Sequence, residues 1–181
     1  MPQLSATGIL SRPLASLAAL VASSDTFQAL VDADDADAAL ASVYYPFADD
    51  GVTDDGAPLC PHPRAIIGVG GDWRSEEVGV GDWRGTGSLI LNFEFLIPLE
   101  SATEQVRGND INEMLWFLNT VGAILAEMQA NKYDDPSAYP NILAIDLLEG
   151  PAKVGGEFKG QYGDYTGEDV YGVMYQVNWQ G

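Results

Sequence analysis

The chain reads as an α+β protein, a largely antiparallel sheet with a long amphipathic helix across one face and an N-terminal helical leader. Three observations predict this. Two segments alternate at the strand period of two: Leu89, Leu91, Phe93, Phe95 and Ile97 in one, and Tyr171, Val173, Tyr175, Val177 and Trp179 in the other. Between them, residues 110–131 repeat apolar side chains at helical spacing. The order of elements, with helices first, then strands, one long helix and two closing strands, lacks the regular strand–helix alternation of a parallel sheet.

Residues 11–31 read as helix. Ser11 is placed to cap it, and Pro13 stands in the first turn, where a missing N–H costs nothing. Leu14, Leu17, Ala18 and Val21 make one apolar stripe. Ser23-Ser24-Asp25 interrupts it and can cap a second short turn carrying Phe27, Leu30 and Val31. The run Asp32 to Asp37 starts another helix, with Asp34 or Asp35 as cap, because a carboxylate favours the positive helix N-terminus. Ala36, Ala39, Leu40 and Val43 form its buried stripe, and Tyr44-Tyr45-Pro46 ends it. Residues 1–46 are thus a helical leader, and 47–63, with two Asp-Asp pairs, two glycines and three prolines, an acidic loop.

The α+β core is expected over 64–181, the whole of 1–181 forming a single domain. Arg64 to Val69 reads as a short buried strand. Gly71-Asp72-Trp73-Arg74 recurs ten residues later as Gly81-Asp82-Trp83-Arg84, a spacing that suits two hairpin arms or two adjacent turns. Ser88 to Ile97 is a strand stopped by Pro98. In the long helix, Asp110 and Glu113 resemble a capping box. Ile111, Leu115, Leu118, Gly122 and Leu125 form one stripe; Met114, Phe117, Val121, Ile124 and Met128 form another beside it. Leu115, Leu118 and Leu125 are expected to pack on the sheet face that carries Phe93 and Phe95. Asn141 to Leu148 is a strand, 149–168 a long loop or mobile hairpin rich in glycine, and Val170 to Trp179 the closing strand.

Composition narrows the function. With 46% apolar residues the chain is not disordered throughout. It has no apolar run of the ~18–20 residues that cross a bilayer, so no membrane partner is expected. The first eleven residues carry no Lys or Arg, so no export signal is read. Cys60 is the sole cysteine, which rules out an intramolecular disulfide. Eight basic against 27 acidic residues give a formal charge of −19. Such a chain repels phosphate backbones and anionic lipid, and the same charge serves solubility or a salty cytoplasm.

A search for chemistry assigns no catalytic, cofactor-binding or metal-ligating residue, so an enzyme is not expected. His62, the sole histidine, sits in Cys60-Pro61-His62-Pro63, which offers two zinc ligands where structural zinc takes four. Asp32 to Asp37 and Asp49 to Gly56 are rich in hard oxygen ligands but lack the register of a calcium loop. Gly68-Val69-Gly70-Gly71 lacks the third glycine of a dinucleotide-binding turn. The Trp-Arg pairs remain: indole and guanidinium are favoured interface anchors. Trp73, Arg74, Trp83 and Arg84, with Lys153 and Lys159 of the glycine-rich segment, are the interface candidates.

The layout resembles the small tail-terminator and neck proteins of tailed bacteriophages. The likeness is carried by Arg64-Ala65-Ile66-Ile67-Gly68 leading to Ser88–Ile97, by the helix 110–131, and by the last strand ending Val177-Asn178-Trp179. The run Leu17 to Pro46 resembles leaders of prophage virion proteins. The resemblance implies a virion protein assembled in the host cytoplasm. It implies a ring, commonly a hexamer, that joins tail-tube and connector proteins and lets DNA pass without specific binding. It implies no cofactor and no catalytic residue. Other classes remain open: a small acidic hydrolase using a carboxylate pair, or a calcium-stabilised or halophilic binding domain.

Overall fold

The structure is a computed structural model that describes residues 8, 11–45, 61–96, 110–135, 139, 141–153, 158–160, 163–165 and 170–181; for 96, 110–113, 153, 158–160 and 163–165 it describes the backbone alone. The elements are α1 (Arg12–Ala22), α2 (Asp25–Leu30), α3 (Ala36–Ala39), β1 (Val43–Tyr44), β2 (Arg64–Val69), β3 (Arg74–Gly79), β4 (Asp82–Leu96), α4 (Asp110–Asp134), β5 (Ile142–Lys153), β6 (Phe158–Gly160), β7 (Gly163–Tyr165) and β8 (Val170–Gln180). This is the expected α+β architecture.

The two strongly alternating segments pair with each other. β4 and β8 run antiparallel from Thr86↔Gln180 to Leu96↔Val170 and form the spine of a sheet ordered β1-β2-β4-β8-β5. β2 lies antiparallel along β4 from Arg64↔Glu94 to Val69↔Leu89, and β3 occupies the same edge of β4 further on, from Arg74↔Thr86 to Gly79↔Asp82. Among the described strands only β1 pairs in parallel, with β2. The period of two puts Leu89, Leu91, Phe93 and Phe95 of β4 and Tyr171, Val173, Val177 and Trp179 of β8 on one buried face.

The helices cover that face. Pro13 stands in the first turn of α1 as expected, but Ser11 does not cap it. Its backbone is already helical, so its hydroxyl turns back, accepting from the Gly8 N–H at 3.1 Å and donating to the Gly8 carbonyl at 3.0 Å. Ser24 does cap α2, accepting from the Phe27 N–H at 3.1 Å, and Asp35 caps α3 through the Ala38 N–H at 2.8 Å. The N-terminal helices are part of the core: Leu17, Leu20, Val21 and Phe27 are fully buried, and Phe27 meets Phe93 with ring centroids 6.4 Å apart.

The long helix α4 presents a different stripe from the one expected. Phe117, Val121, Ile124 and Met128 are buried, whereas Leu115 and Leu118 are 50% and 40% exposed and Leu125 is half-buried. Two attachments set the rotation. Phe117 packs against Phe95 and Tyr171, at 5.6 and 5.8 Å between centroids. On the adjoining flank, Glu127 and Asn131 grip the α1–α2 corner. The Glu127 carboxylate accepts from the Ser24 hydroxyl (2.6 Å), the Thr26 hydroxyl (2.6 Å) and the Thr26 N–H (2.9 Å), and the Asn131 amide donates to the Ser23 carbonyl at 2.9 Å. Both lie on the side of α4 away from Leu118 and Leu125, so satisfying them turns those leucines outward. Burial alone would raise the pKa of Glu127, but hydrogen bonds from Ser24 and Thr26 outweigh it and hold the carboxyl below its ordinary range.

Within 149–168 the described backbone is strand, and 154–157, 161, 162 and 166–168 lie outside the described residues. β5 continues to Lys153, and Phe158–Gly160 and Gly163–Tyr165 pair as a separate two-stranded hairpin. The loop 47–60, the strand end at Ile97-Pro98 and the side chains of Asp110 and Glu113 lie outside the described residues.

Candidate functional site

The two Gly-Asp-Trp-Arg copies land in opposite environments. In the first, Asp72 adopts a left-handed φ of 60°, which aspartate tolerates. The turn lays the Trp73 indole over Gly87 of β4, where it meets Trp179 edge-on at 4.8 Å and donates to the Ser88 carbonyl at 2.7 Å. Trp73 therefore faces its own core. A Cβ on Gly87 would lie 2.9 Å from the Trp73 ring and 3.0 Å from Trp179 Nε1, so this approach needs glycine. Trp179 Nε1 is buried without a hydrogen-bond acceptor, and the Trp73 ring beside it is the available electron-rich partner.

In the second copy, Gly81 (φ 80°) completes the β3–β4 turn and Asp82 opens β4. The hairpin runs past the last residues of β8, so its tip has the sheet on neither side. Trp83 is 56% exposed, Val80 wholly exposed, and Val78 sits in a bulge of β3, also exposed. Arg84 is exposed, and neither Arg84 nor Arg74 pairs with an acidic group among the described residues. Arg74 instead lines an open recess of about 250 Å³ with Asp72, Thr86, Ser88, Gln176 and Asn178. Lys153 ends β5 on the opposite edge of the sheet, and Lys159 lies in β6. The structure thus joins Trp83 and Arg84 with Val78 and Val80 at one tip, while the Lys153 backbone pairs with Tyr171 at the other end of β8.

A second apolar surface runs along the β5 edge, and sequence reasoning missed it because Leu115, Leu118 and Leu125 of α4 were assigned to the core. Leu125, Tyr133, Leu143 and Ile145 line a groove of about 410 Å³ between α4 and β5. Leu118 and Leu115 extend it along α4, and Leu147 is 60% exposed on β5. Lys132 stands at one end, donating to the Leu143 carbonyl at 2.7 Å.

The sheet face away from the helices carries a charged cluster that sequence reasoning also missed. The register places Arg64 opposite Glu94. Arg64 donates to Glu94 Oε2 through Nε at 2.8 Å and through the guanidinium NH2 at 2.7 Å; His62 Nε2 lies 3.2 Å from the same oxygen, and Asn92 donates to Oε1 at 2.8 Å. Side-chain exposure is 11% at Arg64 and 14% at Glu94. Burial alone would raise Glu94, but hydrogen bonds from His62 and Arg64 and their charge outweigh it, holding the carboxyl below the usual range. A general acid needs the opposite shift. The cluster works as a clamp between β2 and β4.

Among the described residues, no three His, Cys, Asp or Glu side chains converge on a point that could hold a metal ion. No described helix is long and apolar enough to cross a membrane. Scanned against models of known protein families and against curated proteins, the chain matches none.

Proposed function

We propose that this chain is a structural subunit that closes into a ring with its own copies, as a tail-terminator or neck protein at the head–tail junction of a tailed-phage virion assembled in the host cytoplasm. The observation that carries the reading is the pair of outward apolar surfaces, the hairpin tip and the α4–β5 groove, on different edges of one sheet. Large exposed apolar side chains gathered in patches mark interaction surfaces, whereas scattered ones do not. Surfaces on different sides of a subunit give head-to-tail contacts, and such contacts close into rings when the rotation allows. The resemblance in layout supplies the station in the particle and the expectation of six copies, contacting tail-tube and connector proteins. The charge of −19 per chain fits the same role, since a ring threaded by DNA gains from walls that repel phosphate.

Native mass spectrometry and electron microscopy of the purified chain test the reading. A closed oligomer with a central lumen, and no shift of duplex DNA in a gel, is the expected result. A monomer at all concentrations up to about 100 μM rejects it, since an assembly weaker than that gains less than about 5.5 kcal/mol. Assembly should strengthen as salt rises toward ~0.15 M, where the Debye length falls to ~8 Å and diffuse repulsion fades.

A further inference from the structure

We infer that the β3–β4 hairpin tip of one copy seats in the α4–β5 groove of the next, an assignment that rests on the ring reading above. The occupant is a second copy because the chain carries both halves of the contact. The tip is a projecting apolar knob of Val78, Val80 and Trp83, and the groove is a recess on the far edge of the same sheet, in which Leu125, Leu143 and Ile145 offer apolar contact beside the polar Gln129 and Lys132. A recess of about 410 Å³ falls within the range, roughly 300–1,000 Å³, that encloses a group the size of a small ligand, so an indole with a neighbouring valine fits.

The charges at the two ends match. The tip carries Glu76 and Glu77 beside its apolar residues, and the groove has Lys132 at one end. Arg84, without an ion-pair partner among the described residues, is exposed at the tip, and β5 exposes Asp146 and Glu149 for a neighbouring copy to meet. Such local pairs set register while the apolar contact holds the copies together against the diffuse repulsion of two chains at −19 each.

The contact is made by side chains and not by adding a strand to the sheet. β5 is an edge strand, but its pairing with β8 shifts register between Ile142 and Ala144, between Leu147 and Glu149, and between Glu149 and Ala152, and Pro151 brings no N–H. Bulges and proline are what blunt an edge against strand addition. The Lys132 ammonium on the Leu143 carbonyl occupies that edge further.

The test uses the full chain. Trp83→Ala and Leu147→Asp should each weaken assembly by about thirtyfold or more, the ratio that a 2 kcal/mol anchor gives at 1.4 kcal/mol per decade, with melting temperatures unchanged. Val69→Ser, an exposed position on neither surface, should assemble normally. In a Cys60→Ser background, a Trp83→Cys chain mixed with a Leu118→Cys chain should give the mixed crosslink. Tip-to-tip or groove-to-groove crosslinks alone overturn the assignment. So does a ring that forms undiminished from both Trp83→Ala and Leu147→Asp chains, in which case ring assembly stands on another surface. A wild-type chain that never assembles removes the ring reading itself.

Discussion

Trp73 and Trp83 each follow Gly-Asp and precede Arg, yet Trp73 is packed against Trp179 and Trp83 stands in solvent. The difference lies in what runs alongside. Trp73 precedes β3 at a point where the chain folds back over Gly87, which lies opposite Trp179 on β8. Trp83 lies on the stretch of β4 beyond Thr86↔Gln180, where, among the described residues, β3 and the Gly85–Gly181 backbone bonds are what remains alongside. A residue's burial is thus set by the strand opposite it, and a local motif does not determine it.

The largest effect that sharpens this contrast is expected at the first copy's partner. Trp179→Ala should cost about 3–5 kcal/mol in urea unfolding, the range for a buried aromatic, with Trp73→Ala close behind and Trp83→Ala within about 0.5 kcal/mol of wild type. Equal losses at Trp73 and Trp83 would break the comparison.

Next comes the clamp on the other face. Glu94→Ala leaves Arg64 without the carboxylate it grips and should cost about 3 kcal/mol at neutral pH. Its pH dependence has a definite sign. Glu94 and Glu127 are both held below their unfolded value of about 4.3, so as pH falls the unfolded chain takes up protons first. Their contribution is full above about pH 5 and is lost as pH falls through the native values. Removing Glu94 should therefore flatten part of the acid limb of a stability–pH profile; an unchanged limb would remove the clamp.

Gly87→Ala tests the close approach itself. Its methyl would meet both indoles near 3 Å, and overpacking of this kind costs about 1–3 kcal/mol, read as a lower urea midpoint at constant slope. The smallest effect is expected on α4. Leu118→Ala should change stability by less than about 1 kcal/mol, while Ile124→Ala, one stripe over, should cost about 2–5 kcal/mol. A reversed order would restore Leu118 to the core.

Much of the fold was legible in the residues. The alternation in β4 and β8, the bounds of β2, the break at Ser23-Ser24-Asp25 and a cap at Asp34 or Asp35, of which the structure uses Asp35, follow from local periodicity and from short polar side chains that reach nearby N–H groups. Ser11 failed as a cap because that reading needs a backbone conformation which composition does not report. The candidate site was half legible. Trp83 and Arg84 were singled out by type and do stand at an exposed tip; Trp73 was singled out for the same reason and faces inward.

Although β1, where Val43 reads as helical, was not legible, the sequence by itself determined the main strands β2, β4 and β8 and the long helix, which residues could share a face, and the acidic balance of the chain. All of these are properties of spacing and charge along one chain. Only the tertiary structure decided which of two apolar stripes α4 buries, that Arg64 and Glu94 meet, and that one tryptophan of a repeated tetrapeptide is covered while the other is bare. Those outcomes depend on register and helix rotation. A shift of one residue or one hundred degrees exchanges faces, and such a shift is selected by contacts between residues far apart in the chain, Glu127 with Ser24 and Phe117 with Tyr171 among them.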